Sequence, residues 1–137
     1  MQLLIAQPFP TYKVVTVVES IVPAGLGRSR MIENQTEMDI EDFTTNRTDG
    51  KKSNQNEVKR ADAKIDRLDE AKLLNFYSAA GINFQNIASN DALITSKLNN
   101  LSQEGWDLVF VTSGVESDGG ETDGNGIYVT RFIFKRL

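Results

Sequence analysis

The chain has 137 residues, 39% of them hydrophobic, and it contains neither histidine nor cysteine. Without those side chains it lacks disulfides, thiol catalysis and the usual acid–base and metal-binding groups, which predicts a non-enzymatic protein without a cofactor. Its 19 acidic and 15 basic residues give a net charge of −4, which disfavours a nucleic-acid partner because phosphate backbones are repelled.

Length and composition predict one domain, because a chain of this size can bury one hydrophobic core. We expect residues 1–11 to form an N-terminal tail and residues 12–137 to form a single α+β domain. No apolar run approaches the roughly 20 residues that span a bilayer, and the first residues lack the basic and long apolar regions of a signal peptide. The sequence therefore predicts a cytoplasmic protein with no membrane span, or an exported one if the true start lies upstream of Met1.

The first third of the domain predicts a hairpin followed by an insertion. Residues 12–22 are dense in β-branched side chains and apolar on both alternating faces, which favours a central strand. Turn-forming residues follow at 23–27, so residues 28–33 are expected to return as a second strand. Residues 34–56 are mostly polar and offer little apolar surface to offset ordering entropy, which predicts a mobile insertion.

Apolar residues then recur at steps of three and four, which predicts a helix over residues 57–79 that Gly81 ends. The stripe consists of Val58, Ala61, Ile65, Leu68, Ala71 and Leu74.

A second helix is expected after residues 81–87, which are compatible with either a short strand or a packed loop. Ser89 or Asn90 can cap this helix, because both side chains accept hydrogen bonds from free backbone amides. Gly105 follows its last turn at the position where a left-handed residue commonly ends a helix.

Residues 106–112 and 127–135 predict two strands that form an antiparallel pair across a long acidic loop. The element order indicates an α+β fold: a mainly antiparallel sheet of about four strands with two helices packed on one face. The first and last strands should lie side by side, with Trp106 as a core anchor between helix and sheet. The C-terminal strand, which no element follows, should be a free sheet edge or pair in an oligomer.

Three strings carry a resemblance to a known group of proteins: YKVV at 12–15, EGWDL at 104–108 and IFKR at 133–136. Together they resemble small bacterial domains of unknown function with a YKVV, EGWEL and FKR pattern, in a longer Bacteroidetes-type version. Residues 34–88 lie outside the common pattern. Because that family has no settled activity, the resemblance supports the fold and implies no catalytic residue.

Arg28 and Arg30, which follow two glycines, are the best candidates for binding an anion. Glycine lets backbone amides approach an anion closely, and two arginine side chains can hold it by charged hydrogen bonds. The string does not have the spacing of either phosphate-binding glycine loop. A hairpin turn with solvated arginines is the commoner alternative.

Amide and aromatic side chains cluster around Gly81, a mixture found in the walls of small-molecule pockets. The alternative is that the aromatics fill the core while the amides bind loop backbone. The candidate ligand-binding residues of this cluster are Asn75, Tyr77, Asn83 and Asn86. In the alternative, the core residues are Phe76, Phe84 and Ile87.

The loop after residue 116 carries carboxylates and glycines compatible with a weak calcium or magnesium site at Asp118, Glu121 and Asp123. Its spacing does not fit an EF-hand. A solvated, self-repelling loop is the alternative, because six acidic residues and no basic one occur between Lys97 and Arg131.

These observations favour a non-enzymatic binding or assembly module that acts through protein–protein contact or self-association, as a homo-oligomer or with a protein partner. The alternative is a regulatory domain that binds a small ligand or anion. A histidine-free, carboxylate-based enzyme is a third hypothesis, and it requires two convergent carboxylates in one cleft.

Overall fold

The computed structural model describes residues 9–22, 28–116 and 126–137. These ranges contain one α-helix, α1 (Phe84–Gln103), and two short 3-10 helices, Ile40–Phe43 and Gln55–Glu57. They also contain seven strands: β1 (Thr11–Ser20), β2 (Arg30–Asn34), β3 (Leu68–Lys72), β4 (Tyr77–Ser78), β5 (Gly81–Ile82), β6 (Asp107–Glu116) and β7 (Ile127–Arg136).

Five strands form an antiparallel sheet in the order β3-β2-β1-β7-β6, and β4 pairs with β5 in a separate ribbon. β1 and β7 pair along their whole length, from Thr11 opposite Arg136 to Ser20 opposite Ile127. The predicted α+β class, the antiparallel pairing of β6 with β7 and the side-by-side placement of the first and last strands are therefore confirmed. The sheet has five strands rather than about four, and the described ranges hold one main helix rather than two.

The core lies between α1 and one face of the sheet. Val15 and Val17 of β1 are 2% and 0% exposed, and Ile94 and Leu98 of α1 pack against the same cluster. Successive side chains of a strand point to opposite faces, so the intervening residues of β1 lie on the face away from α1. The buried apolar residues are Val15, Val17, Met31, Leu73, Leu101, Trp106 and Phe134.

The C-terminal end of α1 leads directly into the core through Gly105 and Trp106. Gly105 has a φ of 90°, and its N–H donates to Ser102 O while the Trp106 N–H donates to Leu101 O. These two bonds form a Schellman motif, which satisfies the last carbonyls of the helix. Trp106 is 6% exposed, so its prediction as a core anchor is confirmed.

The predicted helix over residues 57–79 is wrong. Turns occupy residues 59–64, β3 and β4 follow, and the supposed apolar stripe includes Leu68 and Leu74, which are 41% and 38% exposed. β3 pairs with β2, so its backbone bonds a neighbouring strand instead of its own preceding turn. The segment is rich in leucine, alanine, glutamate and lysine, whose helix propensity this tertiary pairing overrides.

The main helix also begins earlier than predicted. Asn83, not Ser89 or Asn90, is its N-cap, and the Asn83 side chain accepts a hydrogen bond from Asn86 N. Asn90 instead lies inside α1 and is fully buried.

The chain divides into two compact units, residues 1–32 with 70–137, and residues 33–69. In the second unit, Gln35 N donates to Arg67 O over 2.9 Å, and the Asp39 side chain caps a 3-10 helix. The predicted polar insertion at 34–56 lies in this unit, and its mobility stays a prediction. Within the described ranges, no helix is long and apolar enough to cross a membrane.

Candidate functional site

The most distinctive surface of the described chain is the edge of the sheet formed by β6. This strand is last in the strand order, with β7 as its partner, and all ten of its residues are exposed. Within the described ranges, no strand pairs with the other side of β6, so the N–H and C=O groups on that side are open to a second chain. A second extended chain could use those groups to continue the ladder.

The side chains of this edge are unusually apolar. Between Asp107 and Glu116 β6 has no charged residue. Exposed edges are normally short or charged, because an apolar edge recruits other strands. The exposed apolar side chains of β6 are Leu108 (45%), Val109 (43%), Phe110 (59%), Val111 (45%) and Val115 (59%).

A bulge divides β6 into a short and a long part. The pairing with β7 shifts between Leu108 and Phe110, and then runs without a further shift from Phe110 opposite Ile133 to Glu116 opposite Ile127. Bulges twist an edge and limit pairing near them. The regular part from Phe110 to Glu116 is therefore the segment best shaped to receive a strand.

The edge continues into an apolar row on the sheet face away from α1. Phe110 lies opposite Ile133 of β7, and Ile133 lies opposite Val14 of β1. Val14 neighbours the core residue Val15 in sequence and therefore lies on the other face, together with its cross-strand partners. A strand added beside β6 would extend this row.

A polar network joins β1 and the segment after β3 to α1. Asn90 Nδ2 donates to Leu74 O over 2.7 Å, and Asn90 Oδ1 accepts from Leu74 N over 2.8 Å. The same amide donates to Glu19 Oε2, and burial raises the pKa of Glu19. The Asn90 amide is saturated by protein groups, so its role in this network is structural.

Three of the four candidate ligand-binding residues around Gly81 come together, but they bind protein. Ser29 Oγ donates to Asn75 Oδ1 over 2.6 Å, Asn86 Nδ2 donates to Asn75 O, and Asn83 caps α1. Asn86 therefore matches the alternative in which the amides bind loop backbone, whereas Asn83 binds the first turn of α1. Tyr77, in β4, is 37% exposed.

The aromatic part of that alternative is wrong, because Phe76 and Ile87 are only half-buried and do not belong to the core cluster. Phe76 lies against Tyr128, with ring centroids 6.4 Å apart, but Phe84 is 72% exposed and fills no core.

Arg30 is engaged by Glu70, with Nη1 and Oε1 2.9 Å apart. Arg28 lies two residues before it, just ahead of β2. An open depression of about 360 Å³ beside Arg30 is also lined by Glu70 and Lys72. An anion in this depression would compete with the Glu70 carboxylate for Arg30, so the geometry gives the anion hypothesis no added support.

The candidate metal ligands Asp118, Glu121 and Asp123 lie outside the described residues. Across the described part of the chain, no group of three or more acidic side chains is placed to hold a metal ion.

Comparisons with known proteins give no relative: no family model, curated protein or solved structure matches the chain. The resemblance to YKVV-type bacterial domains stays a prediction, and the site rests on geometry alone.

The prediction that the C-terminal strand is a free edge of the sheet is wrong. β7, the C-terminal strand, lies between β1 and β6 and is not an edge. Both β6 and β7 are apolar and β-branched, so composition does not separate them. The signal that could have done so is the predicted adjacency of the first and last strands, which makes β7 internal and leaves β6 outside.

Proposed function

We propose that this chain is a non-enzymatic protein-binding module whose binding surface is the free edge of β6. The observation that carries the proposal is the exposure of all ten β6 residues at the end of a five-stranded sheet. An extended segment of a partner would add as a further strand, the mode called β-strand addition.

The expected energetics fit a reversible interaction. Each main-chain hydrogen bond contributes about 0.5–1.5 kcal/mol net, and each cross-strand side-chain pair about 0.2–1 kcal/mol. The ordering of the incoming segment offsets much of this gain. Binding by the regular part of β6 should therefore be of moderate affinity and depend on most of the strand.

The alternation of β6 side chains gives the edge two different faces. Phe110, Thr112 and Gly114 lie on the face away from α1, since their partners on β7 alternate with the core residue Phe134. A Cβ at Gly114 would meet no atom within 4 Å, which leaves room for a large side chain of the partner. The edge therefore favours a segment with apolar residues at alternate positions.

Amide hydrogen exchange with a model peptide tests the proposal. The probe is an uncharged peptide of about eight alternating threonine and valine residues, long enough to cover the regular part of β6. The control has proline at its centre, which removes a ladder hydrogen bond. We expect the first peptide alone to slow exchange in β6. If neither peptide protects β6 at concentrations where the probe is monomeric, the proposal is wrong.

A pair of variants locates the interaction. Phe110→Lys places a charge on the β6 edge and should weaken peptide binding several-fold. Leu68→Lys makes the same change at an exposed residue of β3, the opposite edge of the sheet, and should leave binding unchanged. Equal loss in both variants would contradict the assignment to β6.

A further inference from the structure

The charges at the two ends of β6 indicate what kind of strand it accepts. Asp107 and Glu116 are its first and last residues, and both are exposed. Within the described residues, neither carboxylate enters a salt bridge. The neighbouring sequence adds no positive charge to balance these carboxylates, because no basic residue occurs between Lys97 and Arg131.

Both carboxylates lie on the same face of the sheet. Asp107 pairs with Lys135 and Glu116 pairs with Ile127, and these positions are eight residues apart on β7. Residues separated by an even number along a strand share a face. The two acids are nine residues apart on β6 because the bulge adds one residue, so an added strand that keeps the spacing of β7 would meet an acid at positions i and i+8, about 27 Å apart.

Basic residues of β7 do not neutralise this pattern for an incoming strand. Neighbouring strands lie about 4.8 Å apart, so an added strand would be about twice as far from Lys135 as from Asp107. Coulomb attraction falls with distance and is further screened by salt. Among the residues that the structure describes, the charges nearest to an added strand are therefore the two carboxylates.

A second copy of β6 fits this edge poorly. If two β6 strands paired antiparallel along their full length, Asp107 of each copy would lie opposite Glu116 of the other. In a parallel pair, each carboxylate would lie beside its own counterpart. Like charges directly opposite each other destabilise a sheet, so self-pairing is disfavoured in both orientations.

We propose that the occupant of the β6 edge is an extended segment of a different protein, apolar at alternate positions and carrying Lys or Arg about eight residues apart. This inference rests on the proposed function and specifies the partner for that same edge. The basic residues would pair with Asp107 and Glu116, while the apolar residues between them would lie beside Phe110, which is on the same face of the sheet.

Binding of labelled peptides to the full chain tests the inference. Three peptides share an alternating threonine–valine centre and carry lysine, glutamate or glutamine at positions about eight residues apart. We expect the lysine peptide to bind about tenfold more tightly than the glutamate peptide, and the difference to shrink at high salt. The double variant Asp107→Asn/Glu116→Gln should remove the preference but keep the affinity for the glutamine peptide. The control variant Glu104→Gln, outside β6, should keep both the preference for the lysine peptide and the affinity for the glutamine peptide.

The possible failures are distinguishable. Equal binding of the lysine and glutamate peptides at β6 would overturn the charge inference and leave the proposed function intact. If all three peptides failed to protect β6 from amide exchange, both would be overturned. Light scattering covers the remaining case: a wild-type dimer that Phe110→Lys dissociates would identify a second copy as the occupant and overturn the inference.

Discussion

Asn90 Nδ2 lies 2.9 Å from Glu19 Oε2 and connects the first half of α1 to β1 by a buried hydrogen bond. The same side chain also binds the backbone N–H and C=O of Leu74, which lies two residues after the end of β3. One amide therefore joins three segments that are far apart in sequence.

Asn90→Ala should lower the free energy of unfolding by about 2–4 kcal/mol, because it leaves buried polar groups of Glu19 and Leu74 without partners. Chemical denaturation followed by circular dichroism measures the change. Asn99→Ala, at an exposed position of the same helix, is the matched control and should change stability little. A similar effect of both variants would show that Asn90 contributes only helix propensity.

Glu19→Gln should stabilise the protein at neutral pH. Burial is the largest cause of the raised pKa of Glu19, and the charge of Asp91 raises it further. The folded protein then holds this proton more tightly than the unfolded chain, so stability falls as the pH rises from 4.5 through the raised pKa, and stays lower above it. Glutamine keeps an acceptor for Asn90 and removes the charge.

The measurement is the free energy of unfolding at several values between about pH 4 and pH 7. The difference between Glu19→Gln and wild type should grow with pH across this window. Glu116→Gln, at an exposed carboxylate, is the control and should follow the wild type. If Glu19→Gln kept the pH dependence of the wild type, the assignment of that dependence to Glu19 would be wrong.

The parts of the fold that could be predicted are those fixed by local signals. β1 and β7 are rich in β-branched and apolar residues, which favour strands over helices. Gly105 marks the end of α1, because glycine readily adopts the positive φ found there. The two-faced apolar pattern of β1 correctly indicated a strand inside the sheet, as its neighbours β2 and β7 show.

The parts that could not be predicted depend on pairing. The residues of β3 favour a helix locally, and only the partner β2 makes them a strand. Asn90 has the side chain of a helix cap, but its buried partners Glu19 and Leu74 are visible only in three dimensions. The β6 edge follows from the strand order, which composition does not encode.

Arg136→Met should cost about 0.5–2 kcal/mol of stability. Arg136 Cζ lies 4.3 Å from the centre of the Trp106 ring, and Nη1 donates to Glu104 O over 3.2 Å. Methionine keeps the aliphatic contact but loses the cation–π interaction and the hydrogen bond. Trp106 is the only tryptophan, so its fluorescence reports unfolding directly. Arg131→Met, at an exposed β7 residue, should have little effect; an equal loss there would contradict a specific role for Arg136.

Gly105→Ala should destabilise the chain, whereas Gly114→Ala should not. Gly105 has a φ of 90°, which an L side chain adopts only with strain, and its added Cβ would lie 3.4 Å from Arg136 Cδ. The expected cost is about 1–2 kcal/mol. A Cβ at Gly114 meets no atom within 4 Å, and alanine favours the ordered strand by reducing unfolded-state entropy. The measurement is the melting temperature of both variants. Equal melting temperatures would show that the positive φ of Gly105 does not make alanine destabilising there.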